Sequence, residues 1–328
     1  MRAPRLLAAA LAAGLLAAAP ALGQSRTQTA FDLVRLDVSA RTAALAGPAA
    51  LLGSDPSVAF ANPAFLTSEA DRRAALSYTN LPADVNAGTA VYARDVPWLG
   101  GLSLAGGVRY LSYGAFERRT GAEAEGETLG TFGANEAAVT LAASRELAPQ
   151  LRVGLAAHAL FASIDDAGAS ALAGDVGVSY AVPGQGVVLG ASVHHAGAVL
   201  SSFGAERDRL PLDVRITASK RLRYVPLTVS VAGVDLQRFE GPAADSSLAN
   251  RALDHLALGG ELQLGASFAV RAGYNGRRGS DLRSGGRLDL AGLSLGAGVE
   301  LRRVSVDYAF SNWGDFGGLH QFGVRTRL

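Results

Sequence analysis

The stretch Arg303-Val304-Ser305-Val306-Asp307-Tyr308-Ala309-Phe310 alternates strictly between two kinds of side chain. Its even-numbered positions hold Val, Val, Tyr and Phe, whereas its odd-numbered positions hold Arg, Ser, Asp and Ala. Because successive side chains of a β-strand point to opposite faces, this period of two predicts a strand with one apolar face and one polar face. The stretch 268–277 repeats the pattern, with Phe, Val, Ala and Tyr opposing Arg, Gly, Asn and Arg. Such strands suit a wall that separates lipid from a polar interior.

The same alternation recurs throughout the chain after residue 72. Fourteen segments predict strands at 74–80, 87–96, 101–116, 133–146, 151–163, 173–182, 187–198, 211–222, 226–238, 253–264, 267–278, 287–298, 300–310 and 318–328. The segment 287–298 changes phase at Gly292, which predicts a β-bulge at that glycine.

The connections between these strands alternate in length. Tight turns follow the even-numbered strands, at 97–100, 147–150, 183–186, 223–225, 265–266 and 299. Longer polar and Gly-rich segments follow the odd-numbered strands, at 117–132, 164–172, 199–210, 239–252, 279–286 and 311–317, with a shorter one at 81–86. A membrane barrel has short periplasmic turns and longer outer loops, whereas a soluble multi-strand β protein has no reason for this asymmetry. We therefore predict an all-β fold, a transmembrane antiparallel β-barrel of about 14 strands in the outer membrane, with the short turns and both termini in the periplasm.

Composition supports a barrel over a bundle of membrane helices. Of the 328 residues, 49% are hydrophobic and only 18% are charged, and the mean hydropathy is +0.20. Beyond the N-terminus, no run of 18 or more apolar residues is present, so helical membrane spans are excluded. A chain this apolar that spans lipid without helices must pair its backbone polar groups in a closed barrel.

The N-terminus has the pattern of a secretory signal peptide. Arg2 and Arg5 form a charged region, residues 6–19 form an apolar core, and Ala21-Leu22-Gly23 is a small-x-small cleavage site, so the mature chain is predicted to begin at Gln24. Without Arg2 and Arg5, 28 of the 30 basic residues remain against 29 acidic ones, which argues against a nucleic-acid binder. The chain has no Cys, which excludes a lipid anchor, a disulfide scaffold and thiol chemistry.

Residues 24–72 differ from the strand region that follows them. Pro56 and Pro63 stand where short helices begin, and the segment is apolar and rich in small residues. It predicts one or two short helices with irregular links, and the lumen of the barrel is the available place to bury them. We therefore predict a signal peptide at 1–23, a plug or hatch segment at 24–72 and the transmembrane barrel at 73–328.

No motif for catalysis, a metal or a cofactor is found. His194 and His195 are adjacent within a predicted strand, so their imidazoles are expected to point to opposite faces and not to chelate one metal. Asp165 and Asp166 fall in a loop beside Gly168, as turn residues do. The Gly-rich stretches interrupt strands and do not precede helices, so a nucleotide site is not predicted. We predict a non-enzymatic protein without cofactors, although a catalytic triad dispersed along the chain stays open.

Two groups of side chains fall near the predicted rims of the barrel. Aromatic residues that predict interfacial belts are Tyr110, Tyr113, Tyr274, Tyr308 and Phe310 at the outer rim, and Tyr180 and Trp98 at the inner rim. Arginines of the predicted outer loops are Arg118, Arg119, Arg207, Arg209, Arg277, Arg278, Arg283 and Arg287. These guanidinium groups either contact lipopolysaccharide phosphates or an anionic partner, or are ordinary solvated loop charges.

Several stretches together resemble the PorV/PorQ family of FadL-like outer-membrane barrels. In the plug segment, Val38–Gly47 is similar to the family's S-A-R-x-A-A-L-G-G motif, with Ala46 in place of the usual Gly, and Asp55–Leu66 is similar to P-S-x-A-F-x-N-P-A-x-L. The barrel stretches that carry the resemblance are 76–80, 111–116, 130–134, 210–213, 218–222 and 271–275, and those at 210–213 and 218–222 favour the PorQ branch. The plug-motif residues that the resemblance singles out are Ser39, Arg41, Asn62 and Pro63.

The resemblance implies a fourteen-stranded barrel with an N-terminal hatch and no catalytic activity. It implies membership of the type IX secretion attachment complex, in which the barrel anchors a PorZ-like surface protein beside PorU and PorV, for cargo attachment to anionic lipopolysaccharide. Outer-membrane lipid is a further expected partner. The alternative is a FadL-like transporter of hydrophobic compounds, in which the plug is a movable hatch and a gap in the wall releases the substrate to the bilayer. Fold does not decide between these functions.

Overall fold

A computed structural model shows a closed antiparallel barrel of fourteen strands. The structure describes residues 31–120, 128–204, 208–238, 248–282 and 290–328. The strands are β1 Arg73–Asn80, β2 Asn86–Val96, β3 Leu102–Arg119, β4 Thr128–Ala148, β5 Leu151–Ile164, β6 Ala167–Val182, β7 Val187–Ser201, β8 Asp213–Arg221, β9 Leu227–Gly233, β10 Leu256–Leu264, β11 Phe268–Asn275, β12 Leu293–Leu301, β13 Val304–Asn312 and β14 Gly318–Arg327. Each strand pairs with its neighbours in the chain, and β1 closes the barrel on β14. The predicted fold class is confirmed.

The alternation in sequence becomes the two faces of the wall. On β13, Val306 is 42% exposed, whereas Ser305 and Asp307 are 7% and 3% exposed. The exposed side chains lie outside the barrel, where lipid would cover them, and the buried ones face the interior. The predicted alternation of apolar and polar faces is therefore present in β13. Hereafter the "short-turn end" is the rim that carries the tight turns, and the "long-loop end" is the opposite rim.

The wall is uneven in height around the barrel. Strands β3 to β7 contain 14 to 21 residues each, whereas β8 to β12 contain 7 to 9 residues each. The barrel therefore has a tall sector and a low sector, and the segments that follow the low strands fold over their ends.

Two predicted strand ends in the low sector are wrong. The ninth strand ends at Gly233 and not at 238, because the Val234 amide donates to His255 O and the chain turns at Asp235, which has a φ of 53°. The eleventh strand ends at Asn275 and not at 278. There the Asn275 side chain accepts a hydrogen bond from Arg278 N and caps a helix at 276–281.

The twelfth strand and the turn after it are also displaced from their predicted positions. The strand begins at Leu293, and Gly292 lies directly before it with a φ of 86°, so the predicted bulge at Gly292 is wrong. The residues 287–289 that were predicted to begin this strand fall outside the described parts of the chain. The turn to β13 lies at Arg302 and Arg303 and not at Val299, which pairs with Phe268 inside the sheet.

The helices of the described chain are short. The α-helices are α1 Ala40–Ala44, α2 Leu248–Asp254 and α3 Gly276–Asp281, and the 3₁₀ helices are Asp32–Arg35, Pro56–Phe60, Pro63–Phe65, Ser68–Ala70, Pro97–Leu99 and Gly314–Phe316. Within the described ranges, none of the helices combines the length and the hydrophobicity needed to cross a bilayer.

Residues 31–72 lie inside the barrel and form a plug. Phe31, Ala40, Phe65 and Leu66 are at most 1% exposed, and they pack against the inner surface of the wall. Gly53 and Leu66 form a parallel bridge within the plug. The hydrophobic core of the molecule therefore lies between the plug and the wall. The predicted signal peptide, at 1–23, lies outside the described residues.

Candidate functional site

The plug presents its first α-helix to the low sector of the wall. Helix α1 begins at Ser39, whose Oγ accepts from Thr42 N at 3.3 Å while Thr42 Oγ1 accepts from Ser39 N at 3.3 Å. This reciprocal capping box satisfies two amides that would otherwise lack partners. Ala40, Ala43 and Ala44 are buried, so the helix backbone lies close to the wall. The short side chains leave Arg41 as the one charged group of the helix.

Arg41 is the first member of a chain of alternating charges that runs from strand to strand along the inner surface of the wall. Its Nε and Nη2 donate to Glu261 Oε2 and Oε1 on β10 at 2.8 and 2.6 Å, a bidentate pair. Arg271 on β11 donates from Nε to the same Glu261 at 2.6 Å, and from Nη1 to Asp307 Oδ1 on β13 at 2.7 Å. Strand β12 lies between them, and a methyl group built on its Gly298 would overlap both Arg271 and Asp307. A glycine at this position therefore lets Arg271 reach across β12.

The chain of charges then returns to the plug. Arg325 on β14 donates from Nε to Asp307 Oδ2 at 3.1 Å, and its Nη1 lies 3.7 Å from Asp55 Oδ2. Asp55 also accepts from Ser57 N at 3.0 Å and Ser57 Oγ at 2.6 Å, which begins the helix Pro56–Phe60. We call this set the charge chain: Arg41, Glu261, Arg271, Asp307, Arg325 and Asp55. It alternates in sign along its length and is neutral as a whole.

The two ends of the charge chain, Arg41 and Asp55, lie in the plug, and both keep their charged forms there. Burial alone would raise the pKa of Asp55, but Arg325 and Arg41, with the hydrogen bonds from Ser57, hold that pKa below its usual value. Burial would likewise lower the pKa of Arg41, but Glu261 outweighs burial and raises it above its usual value. Each end therefore depends on partners of opposite charge on the wall.

On the opposite side of the plug, the segment 62–64 contacts strands β5–β7 of the tall sector without charges. Asn62 Nδ2 lies 3.3 Å from both Val178 O and Ala191 O, and Asn62 Oδ1 accepts from Ala64 N at 2.9 Å. The wall hydroxyl of Ser179 donates to Ala64 O at 3.0 Å. This side of the plug is therefore held by neutral hydrogen bonds between plug and wall.

Glycines in the tall sector make this close approach possible. A methyl group built on Gly177 would overlap the side-chain oxygen of Asn62, and one built on Gly154 would overlap the backbone of Pro63 and Ala64. The plug backbone thus lies directly on the wall backbone here. Asn62 and Pro63, which the sequence singles out, both lie at this contact.

The leading end of the plug lies near the long-loop end of the barrel. Arg109 Nη2 donates to Leu33 O at 2.5 Å and Leu36 O at 2.7 Å, and Glu136 Oε2 accepts from Leu33 N at 2.8 Å. Glu136 Oε1 also accepts from the Tyr113 hydroxyl at 2.7 Å. Tyr113 therefore faces the lumen, so its predicted place in an interfacial belt is wrong. Tyr113 shares its parity on β3 with the buried Arg109 and Leu111, whereas Tyr110 points outward, so the alternation itself places Tyr113 inside.

Beside Arg109 and Glu136, the inner surface of the wall around this leading end carries a cluster of apolar side chains. Phe31, Leu33 and Val34 of the plug pack into it and are at most 5% exposed. We call this surface the apolar compartment, and its wall residues are Ala87, Leu111, Ala138, Leu160, Ala162, Ala169, Ala171, Ala173 and Leu210.

Beside the apolar compartment, the hydrogen-bonded pairing between β7 and β8 comes to an end. The ladder of these strands runs from Val187 opposite Lys220 to His194 opposite Asp213, and β7 continues to Ser201 beyond that last pair. Val199, in this continuation, packs against the compartment. The sheet therefore loses its pairing on one side of β7 beside the compartment.

No protein-family model and no curated protein matches the sequence. The fold is similar to the Pseudomonas putida toluene transporter TodX, with a TM-score of 0.57 and 11% identity over 88% of this chain and 96% of that one. A deltaS2 mutant of the TodX monoaromatic hydrocarbon channel gives a TM-score of 0.59 and 11% identity over 90% and 98%. At this identity the likeness concerns the fold alone. It supports the barrel architecture, and the FadL-like and PorV/PorQ assignments stay predictions.

A network of histidines lines the inner surface of the tall sector. His158 Nδ1 is 2.8 Å from Thr140 Oγ1, and His158 Nε2 is 2.9 Å from Asp175 Oδ2. His194 Nδ1 is 2.9 Å from the same carboxylate oxygen, and His194 Nε2 is 2.8 Å from Ser192 Oγ. We call these five residues the histidine network. They span four consecutive strands, β4 to β7, and are at most 8% exposed.

The prediction that His194 and His195 point to opposite faces is wrong. Both are buried, at 0% and 5% exposed, and both contact Asp175, since the His195 amide donates to Asp175 Oδ1 at 2.8 Å. His195 has a φ of 58°, and the β6–β7 pairing shifts between Gly174 and Val176. The irregularity turns consecutive side chains to one face.

Ser192, His194 and Asp175 have the spacing of a serine hydrolase triad. However, Asp175 Oδ2 serves His158 as well as His194, and Thr140 repeats on His158 the contact that Ser192 makes with His194. The Ser192 side chain is buried, and its residue is 6% exposed. Two imidazole–hydroxyl pairs therefore share one carboxylate within the wall, and we assign this arrangement a structural role. Within the described residues, no group of three or more His, Asp or Glu side chains has the geometry to hold a metal ion.

The predicted outer-loop arginines have different surroundings. Arg118 pairs with Asp165, and Arg119 pairs with Glu117 at 2.6 Å; both arginines lie at the end of β3. Arg209 is exposed. Arg207, Arg283 and Arg287 lie outside the described residues.

Helix α3 carries the remaining two of these arginines. Arg277 pairs with Asp235 and Asp281. Arg278 pairs with Asp37 of the plug at 2.6 Å and lies 5.9 Å from the centre of the Trp313 ring. Arg278 is therefore engaged by the plug and the wall, which differs from the predicted contact of a free outer loop.

Sequence reasoning identified the plug residues of this site but missed their partners on the wall. Arg41, Asn62 and Pro63 lie at plug–wall contacts, and Ser39 caps the helix that carries Arg41. Glu261, Arg271, Asp307 and Arg325 were not identified as site residues. One signal was available, because each is a charged residue at an inward position of an alternating strand.

Proposed function

We propose that this protein is an outer-membrane transporter of hydrophobic compounds, in which residues 31–72 act as a gate. The apolar compartment is the observation that carries this proposal. The lumen of a barrel that conducts water and ions is polar. Here Leu111, Leu160 and small alanines cover the lumen side of the wall and are nearly inaccessible. A surface of this kind favours an apolar ligand.

The surroundings of the compartment support a route into the bilayer. The β7–β8 ladder ends at His194 and Asp213, beside the compartment, so a ligand there would meet a part of the wall with incomplete pairing. The similar fold of TodX, a toluene transporter, adds support at the level of architecture.

The plug occupies the compartment itself, so plug and ligand compete for it. Phe31 and Leu33 are 1% and 2% exposed within it. Arg109 and Glu136 hold the plug there through the backbone of Leu33. A ligand must therefore displace Phe31 and Leu33, while the charge chain can keep the remainder of the plug attached.

The test measures binding of the apolar fluorescent probe N-phenyl-1-naphthylamine to the purified barrel in detergent. F31A/L33A should bind the probe more tightly, because two competing side chains are removed while the Leu33 backbone bonds persist. Leu160→Asn should weaken binding by at least about tenfold, because a polar group then lines the compartment. Leu51→Asn is the matched control, since Leu51 is buried at a different plug–wall contact. Equal binding by the Leu160→Asn and Leu51→Asn variants would contradict the proposal.

A second candidate is a docking barrel of the type IX secretion attachment complex that anchors a PorZ-like surface protein. The charge chain favours it, because a plug fixed by paired buried charges suits a permanently closed barrel. The sequence resemblance to the PorV/PorQ family points in the same direction. The test is co-purification of a surface protein with the barrel from native membranes. It should be lost when the loops at 199–210 and 279–286 are shortened, and retention after shortening would count against docking.

A further inference from the structure

We infer that the β8–β9 hairpin at the short-turn end is a binding site for the headgroup of an anionic phospholipid. A groove of about 410 Å³ opens at this hairpin, lined by Gln185 and by residues 220–225. Lys220, Arg221 and Arg223 supply three cations within four residues, and all three are exposed. This inference is independent of the transport proposal, because it concerns the opposite rim of the barrel.

The cations of this groove lack the carboxylate partners that other arginines of the same rim possess. Arg94 pairs with Asp71 at 3.7 Å, and Arg152 pairs with Glu146 at 3.6 Å. Within the parts of the chain that the structure describes, no carboxylate lies within ion-pair distance of Lys220, Arg221 or Arg223. Guanidinium groups that are free of carboxylates bind phosphate oxygens bidentately, so a phosphate ester complements the groove.

The apolar part of the groove points to a lipid and not to a free phosphate. Tyr224 is 96% exposed and Val225 is 47% exposed, beside the three cations. Ile216 and Val229, on the same two strands, are 45% and 39% exposed on the outer face of the barrel. The groove therefore continues into the surface that lipid tails cover. An aromatic ring beside cations is typical of the membrane interface, where headgroup and acyl chain meet.

Other hairpins of the same rim show that this composition is not general. The β6–β7 turn at 183–186 and the β10–β11 turn at 265–267 carry no charged residue. The β12–β13 turn has Arg302 and Arg303, two cations instead of three, with no aromatic residue beside them. It therefore provides a second arginine pair on the same rim for comparison.

The experiment places the full chain in nanodiscs that contain phosphatidylcholine with a minority of phosphatidylglycerol. Native mass spectrometry then counts the phosphatidylglycerol molecules that stay bound. Wild type should retain phosphatidylglycerol in preference to phosphatidylcholine. R221Q/R223Q should weaken that preference by about 25-fold, since each cation near an anionic surface contributes about fivefold. R302Q/R303Q removes the same charge from another hairpin and should keep the preference.

The source of the phosphate is tested in the same samples. Inorganic phosphate at millimolar concentration should not displace phosphatidylglycerol, and Tyr224→Ser should weaken retention without any change of charge. Equal loss in the two double variants, or displacement by inorganic phosphate, would overturn the inference. If the R221Q/R223Q variant does not fold, the salt dependence of the wild-type protein alone still tests the inference. Its preference must fall as NaCl is raised from 0.15 M to about 1 M, because screening weakens exposed charge contacts, and a preference that is insensitive to salt would overturn the inference.

Discussion

The two sides of the plug are held by different interactions. Toward β10–β14, the plug is fastened by the charge chain, which begins at Arg41 and ends at Asp55. Toward β5–β7, its segment 62–64 is fastened by shape and neutral hydrogen bonds, with Asn62 packed against Gly177. The tall sector keeps its own polar residues paired within the histidine network. The side toward β10–β14, which we call the charged side, depends on partners of opposite charge and on pH. The side toward β5–β7, which we call the shaped side, depends on wall glycines, which have no side chain. A gate could therefore open on one side while it stays attached on the other.

The largest expected effect is the loss of the central acceptor of the charge chain. Glu261→Gln leaves Arg41 and Arg271 without their shared carboxylate, so two buried cations lose their main partner. Removal of one partner from a buried ion pair costs about 3–5 kcal/mol. We expect faster hydrogen exchange in residues 39–45 and increased ion conductance through the barrel in planar bilayers.

Two further variants make this first prediction specific. Glu300→Gln removes an exposed carboxylate and should change the free energy of unfolding by no more than about 0.5 kcal/mol. Neither the hydrogen exchange of residues 39–45 nor the ion conductance should change. R41M/E261M removes one cation with one anion, so the remaining four charges stay balanced, and this double variant should be milder than Glu261→Gln alone. A double variant as severe as the single one would show that charge balance does not hold the plug.

The shaped side is tested by a bulky residue beneath Asn62. Gly177→Val would place two methyl groups where Asn62 lies and should displace the segment 62–66, at a cost of about 1–3 kcal/mol. Hydrogen exchange should rise in residues 56–66 but not in residues 39–45, because the charge chain is untouched. Gly168→Ala is the control, since a methyl group there would meet nothing closer than 3.8 Å. Faster exchange on both sides of the plug would mean that the two sides do not act separately.

The contrast between the two sides shows which parts of this molecule sequence can predict. Alternation assigns each residue to a face of the wall, so the barrel and the inward positions of Glu261 and Asp307 follow from it. Alternation does not give the depth of a residue in the barrel. Arg271 meets Asp307 only because the register places Gly298 between them. Such contacts across a third strand depend on the stagger of the closed barrel, which no local pattern encodes.

The histidine network failed prediction for a different reason. The rule of opposite faces assumes extended backbone throughout, and His195 departs from it with a φ of 58°. A non-glycine residue adopts this conformation only where the surrounding structure stabilises it. Here Asp175 supplies that support, because it accepts from the His195 amide as well as from His194. The determining contact lies about twenty residues away in sequence, beyond the range of a local pattern.

A smaller effect is expected from acid, and on the charged side alone. Because the pKa of Asp55 is lowered in the folded protein, its contribution to stability is present above the unfolded pKa and is lost as the pH falls through the folded one. Below about pH 4, hydrogen exchange in residues 39–45 and 55–57 should rise before that in 62–66. Glu261 and Asp307 also place carboxylates against the arginines of the charge chain. Asp55→Asn therefore serves as the control, and the part of the pH dependence that it removes belongs to Asp55. An unchanged pH profile in that variant would contradict this assignment.

The smallest expected effect concerns the histidine network. Its Ser192, His194 and Asp175 have the spacing of a hydrolase triad, but their side chains are not accessible to solvent. If Ser192, His194 and Asp175 formed a working triad, a fluorophosphonate would label Ser192 covalently. We expect no labelling of the folded barrel, because the Ser192 hydroxyl is buried and Asp175 is shared by two imidazoles. Ser192→Ala should cost only about 1 kcal/mol, the net contribution of one hydrogen bond, and should leave probe binding unchanged. The F31A/L33A variant makes the test stricter, since a loosened plug would expose a nucleophile if one were present. Labelling of that variant, abolished by Ser192→Ala, would show that the histidine network performs chemistry and is not only a support for the wall.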